Sequence, residues 1–128
     1  MTSTTEIAEF TANARYDRLP EDVRSAAKQR ILDAIGVGLE SHTRGRGDAV
    51  GRAIGGDSPA ASRLWGSAQT APPARAALHN TILTESGNGA VFLSPTLAAV
   101  YGPVSAVLAA AEAAGSTGEE TLAGLAVA

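Results

Sequence analysis

LPEDVRSAAKQRILDAIGVGLES, residues 19–41, is the stretch whose reading decides the fold. Pro20 can occupy the first position of a helix, where a missing N–H costs nothing. Glu21 and Asp22 follow it with negative charge at the positive end of the helix dipole. Val23, Ala27, Ile31, Ala34, Ile35 and Gly38 recur at three- and four-residue spacing, which is one helical stripe. From Ile31 to Leu39 apolar residues spread round the whole circumference, interrupted by Asp33. Such a helix is expected to enter a core as it proceeds, burying Ile31, Ile35 and Leu39. It would be roughly 30 Å long, the width of a small domain. Gly36 and Gly38 weaken it, and close approach of another helix is the reason to expect them.

Working outward, the rest of the chain reads as further helices. Ser3, Thr4 or Thr5 can cap a short first helix whose inward face is Ile7, Phe10 and Thr11, with Ser3 and Glu6 as a capping box. Ser41 to Gly47 is a turn, Asp48 to Ile54 a short helix, and Gly55 to Pro59 a break. Ala61 to Gly66 is a short extended run. Pro73 opens a helix to Thr84 with Ala76, Ala77, Asn80 and Leu83 on one face. Glu85 to Pro95 is a polar, glycine-rich loop around an apolar AVFL. Val100 to Ala114 is helical, starting or kinking near Pro103. Ser116 or Thr117 caps a last helix. The alanine-rich TLAGLAVA needs a surface to dock on, because a helix of eight to ten residues is marginal alone. The predicted fold is all-α, a helical bundle forming one domain over residues 1–128.

Composition narrows the function. The chain has 128 residues, with 45% hydrophobic and only 4% aromatic residues. Its core is therefore built from small side chains, which favours close helix packing. The net charge of −3 without a basic block gives nucleic-acid binding no support. There is no cysteine for a disulfide or a thiolate metal site. MTSTTEIAEF has neither the basic nor the apolar region of a secretory signal, so a cytoplasmic location is expected. Ser86 to Ala111 carries no charge, but its Gly, Pro, Ser, Thr and Asn content argues for a loop and a buried helix rather than a membrane span.

Few residues carry chemistry. Gly45 to Gly51 is glycine-rich, but no strand precedes it, so a nucleotide loop is not expected. His42 lies in a turn and reads as solvated. His79 lies in a helix beside Asn80. Neither histidine has a partner set for a metal, and no cofactor is expected. His79 remains a candidate for acid–base work, since histidine titrates near neutrality. Glu85-Ser86-Gly87-Asn88-Gly89 is equally an ordinary turn and a site, joining two helices and offering a carboxylate and a carboxamide.

RILDAIGVGLES resembles the "LLDTLGVALAG" segment of the MmgE/PrpD family. That family includes 2-methylcitrate dehydratase, cis-aconitate decarboxylase and iminodisuccinate epimerase. The similarity continues in family order through SRLWGSAQTAPPARAALHNTIL to AEAAGSTGEETLAGL. In the middle piece Leu64, Gly66, Pro73, Ala76, Ala77, Leu78, Asn80 and Leu83 fit the family pattern. The resemblance implies part of the family's large helical domain, and a chemistry in which a base removes a proton next to a carboxylate. It places Glu85 and His79 as catalytic candidates and Asn80, Asn88 and Ser94 as substrate-binding candidates. Arg44, Arg46 and Arg75 are the nearest cations in sequence for a developing enolate.

The chain also departs from the pattern. The family's acidic "DFDD" falls on Asn88, Gly89, Ala90 and Val91, with no carboxylate. A family histidine becomes Glu85, and the "HPS" position falls on Ser94-Pro95-Thr96. Family members carry a lid domain with catalytic lysines, and further helices, beyond the part resembled here. Three readings follow. The chain is a subunit of a split lyase or isomerase, with a larger family-like chain supplying the rest. It is an inactive family member acting as a binding or scaffolding module. Or it is a small helical protein that dimerises. On the first two, it is expected to need a partner and to show no activity alone. Association is expected through the faces of Val104–Ala113 and Leu122–Val127.

Overall fold

The computed structural model describes residues 3–54, 62–86, 92–93, 98–99 and 101–128. Among these residues six α-helices account for more than half: α1 Ser3–Asn13, α2 Glu21–Thr43, α3 Asp48–Ile54, α4 Pro73–Glu85, α5 Tyr101–Ala114 and α6 Gly118–Val127. Two antiparallel pairs of two-residue strands interrupt them. β1 Ser62–Arg63 pairs with β2 Thr70–Ala71, and β3 Phe92–Leu93 with β4 Ala98–Ala99. The fold is all-α, as the periodicity predicts.

The long helix is where expected, but it starts one residue later than Pro20 at the first helical position would have it. Pro20 sits just before the first helical residue, in an extended conformation. Glu21 pairs with Arg24 at 2.9 Å, and the Arg24 guanidinium lies 5.1 Å from the centre of the Tyr16 ring. What α2 buries is different. Its buried residues are Ala27, Ala34, Gly38 and Ser41. Ile31 and Ile35 are half-buried, and Leu39 is 43% exposed. Small residues line the closest approach, so the larger ones flank the contact instead of filling it. Gly38 shows this directly: a Cβ there would stand 2.7 Å from the Trp65 ring. Gly36 faces nothing within 4 Å among the described residues. Because Ile35 is only half-buried, Ile35→Ala is expected to cost about 1–2 kcal/mol by chemical denaturation, below the range for fully buried sites.

α1 corrects a second expectation. It buries none of its residues, and Ile7 and Phe10 are 66% and 64% exposed. An amphipathic stripe sets the direction a helix prefers to face but supplies no partner to face.

α4 and α5 form the most intimate pair, with α2 across them. One core group joins Leu64, Ala71, Ala76 and Ala109, and a second joins Ala34, Tyr101 and Val104 with Trp65, Leu108 and Leu125 packed against it. Alanine dominates the first, as the composition foretells, whereas Tyr101 and Val104 carry the second. Thr117 caps α6 in a full capping box: its hydroxyl accepts from the Glu120 N–H, and Glu120 accepts from the Thr117 N–H at 2.7 Å. The uncharged stretch resolves into a helix from Tyr101 with Pro103 in its first turn. No helix among the described residues is long and apolar enough to cross a membrane.

Candidate functional site

Three of the five candidate residues lie on α4: His79, Asn80 and Glu85. Asn88 and Ser94 lie outside the described residues.

Asn80 is almost wholly buried and holds the β1–β2 hairpin to α4. Its amide nitrogen donates to the Arg63 carbonyl at 3.0 Å, and its Oδ1 accepts from the Trp65 N–H at 3.0 Å. These two opposite backbone groups fix which end of the amide is which. The same Oδ1 lies 3.0 Å from His79 Nδ1. An amide oxygen only accepts, so Nδ1 must carry the proton. In the neutral form of the ring that arrangement leaves the lone pair on Nε2. His79 is 3% exposed, and Nε2 faces the start of α3 and the turn before it, where Cβ atoms built on Gly51 and Gly47 would lie 3.3 and 3.4 Å away. Asn80 thus sets the tautomer and orientation of its neighbour, the usual task of a group behind a working histidine.

His79 lines a cavity of about 140 Å³ whose walls include His42, Asp48, Arg52, Leu64 and Gln69. Both histidines of the chain meet here. His42 is not the solvated turn residue its position suggests. It is half-buried, and its Nδ1 is buried without a hydrogen-bond partner among the described residues. Nothing in the local sequence pairs positions 42 and 79; the packing of α2 against α4 does so. No three His, Asp or Glu side chains among the described residues are placed to hold a metal ion.

Glu85 does not join His79. The two are six residues apart on α4, about a third of a turn round the helix and roughly 9 Å along it. Glu85 is half-buried, and its Oε1 is buried with no hydrogen-bond partner among the described residues. Burial raises its pKa above the ordinary 4.5. Its field also reaches Tyr101, the first residue of α5. Tyr101 is 1% exposed, and its hydroxyl donates to Asp33 Oδ2 at 2.6 Å. Burial first, and then Asp33, push its pKa up to about 12. The aspartate that interrupts the apolar half of α2 is therefore there to receive a buried phenol. That interruption is the sequence signal for the pair, although nothing local names its partner.

Tyr101 has a testable pH consequence. A phenol with a raised folded-state pKa contributes stability that is complete below its unfolded value of 10.0 and is lost as pH rises through about 12. Stability is therefore expected to fall across that window in the wild type. In Tyr101→Phe that component should vanish, with a lower stability at neutral pH from the lost hydrogen bond. Denaturation midpoints across the window would show it. Of the cations near in sequence, Arg44 is taken up by Glu40 in an ion pair.

The N-terminal domain of MmgE/PrpD proteins matches residues 5–128. No curated protein and no solved structure matches the chain. The match runs from α1 through α6 in one ordered piece, so the chain belongs to the MmgE/PrpD family, within its N-terminal domain.

Proposed function

We propose that this domain supplies one wall of a lyase or isomerase site that removes a proton from a small carboxylate substrate, with Glu85 as the base. The observation that carries the reading is the Glu85 carboxyl: partly withdrawn from water, with one oxygen lacking a donor among the described residues and a pKa raised by burial. An unsolvated carboxylate is a stronger base than one in water, and a pKa moved toward neutrality suits general-base work. The family membership supports the choice of chemistry, and Asn88 and Ser94 remain substrate-binding candidates by their place in the family pattern.

The rest of the site comes from outside these residues, from a larger family-like chain or a second copy. His79 is turned away from Glu85, so the domain does not set an acid against its base. Oxyanion stabilisation by cations is also needed for an enolate, and Arg44 is already paired. Assayed alone on small di- and tricarboxylates, the chain is expected to show no turnover. Mixed with a family-like larger chain, it is expected to co-sediment and to turn over. A monomer that turns over alone would refute the shared site. A complex that forms but stays inactive would favour the scaffolding role.

A further inference from the structure

We infer that the chain pairs with a second copy of itself by exchanging α1: the Ile7–Phe10 face of each copy seats in the groove between α2, α5 and α6 of the other, with Glu6 and Glu9 against Lys28. The pairing does not depend on the proton-abstraction reading, and its test reads no activity.

Three observations converge. First, α1 is an amphipathic helix that buries none of its residues. Ile7 and Phe10 lie three residues apart, hence on one face, and are 66% and 64% exposed. A helix of 11 residues is marginal by itself in water, so this stripe calls for a surface that covers it. Second, the groove is apolar and open. Ile31, Leu32 and Ile35 of α2 form one wall, and Leu108 of α5 and Leu122 of α6 the other. Leu32 is 75% exposed, more than any other large apolar side chain among the described residues. Contiguous exposed apolar surface of this kind marks an association site. Third, the charges are opposite. Lys28 is the one charged residue lining the groove among the described residues. α1 carries Glu6 and Glu9 and no basic residue. With 3.6 residues per turn, both glutamates fall on the same flank of the Ile7–Phe10 stripe, so one edge of α1 is acidic. Among the described residues no ion pair engages Lys28, Glu6 or Glu9. The groove and the helix that fits it belong to one chain, and this selects the occupant. A second copy covers both at once, in two equivalent contacts that close about a two-fold axis. A foreign acidic helix would fill the groove and leave α1 bare.

The test is sedimentation of the whole chain at micromolar concentration, where a dimer is expected. Phe10→Ser and Lys28→Glu, both at exposed positions, should each weaken the dimer by at least about tenfold, while the circular dichroism of dilute protein keeps its helix signal. Glu6→Lys combined with Glu9→Lys should weaken it in the same way. The decisive arm mixes the Lys28→Glu chain with the Glu6→Lys, Glu9→Lys chain. Each α1 then meets a groove of opposite charge only on the other chain, so the mixture should recover the wild-type affinity although neither chain dimerises well alone. A wild-type chain that stays monomeric would overturn the proposal. A dimer of full affinity in both Phe10→Ser and Lys28→Glu would pair through another face and overturn it too. So would a mixture no tighter than its two components.

Discussion

Glu85→Gln is expected to lower turnover by the complete enzyme by about 10²–10⁴-fold, the usual worth of a general base, while making the domain more stable at neutral pH. The two effects share one cause. Burial raises the Glu85 pKa above 4.5, so the folded state prefers the protonated carboxyl. The stability tied to this group is therefore complete below the unfolded pKa and is lost as pH rises through the raised folded value. Ionised, the Glu85 carboxylate has one oxygen buried and unpartnered among the described residues. Glutamine keeps the shape and removes the charge. The variant's denaturation midpoint should exceed the wild type's at pH 7, and the gap should close well below pH 4.5. The acid limb of the pH–rate profile, which reports loss of the Glu85 proton, should disappear in the variant. A rate left unchanged would clear Glu85 of the role, and equal midpoints at both pH values would place its carboxyl in water. Base strength bought at a cost in stability is the pattern expected of a working group.

Periodicity located α2, α4 and α5 because it reports which face of a helix is apolar. It did not tell how deep each face goes. Ile31, Ile35 and Leu39 are the bulky members of the α2 stripe, yet Ala34 and Gly38 reach the core. Depth depends on how near the next helix comes, and only small residues allow the nearest approach. Phe10 shows the same limit at α1, where the stripe meets no partner among the described residues. The candidate site divides along similar lines. Glu85 and His79 stand out in the sequence as lone titratable groups near a loop. The relations that give them meaning are long-range: Asn80 gripping the hairpin, His42 brought to His79, Asp33 receiving Tyr101 from 68 residues away. Such pairings come from chain crossings that no local spacing encodes. Asn80 was visible as a polar residue on an apolar face, which is itself a sign of a buried hydrogen-bonding task.

Gly66→Ala is expected to cost about 2–5 kcal/mol, from two separable terms. Gly66 ends the ASRLWG run with φ +82, in the left-handed region where a Cβ meets the backbone. That strain alone costs roughly 1–2 kcal/mol. The added methyl would also overlap Cγ and Cδ2 of His42, and it would stand 2.9 Å from His42 Cβ. These atoms are at the root of the side chain, so a rotamer change alone does not clear them. Crowding of this kind adds about 1–3 kcal/mol. The terms part in a double-mutant cycle with His42→Ala, which removes the ring but not the backbone strain. The cost of Gly66→Ala should fall toward the strain term in the His42→Ala background, which keeps only the contact with His42 Cβ, giving a coupling of about 1–3 kcal/mol between the two positions. A cost below about 0.5 kcal/mol in the wild-type background, the range of surface substitutions, would mean the hairpin does not rest on His42. Because His42 and Leu64 wall the same cavity, the crowded variant should also shift the His79 ring signals, and His42→Ala should restore part of that shift. The hairpin thus rests against His42 at Gly66 and is tied to Asn80, the neighbour of His79, at Arg63 and Trp65.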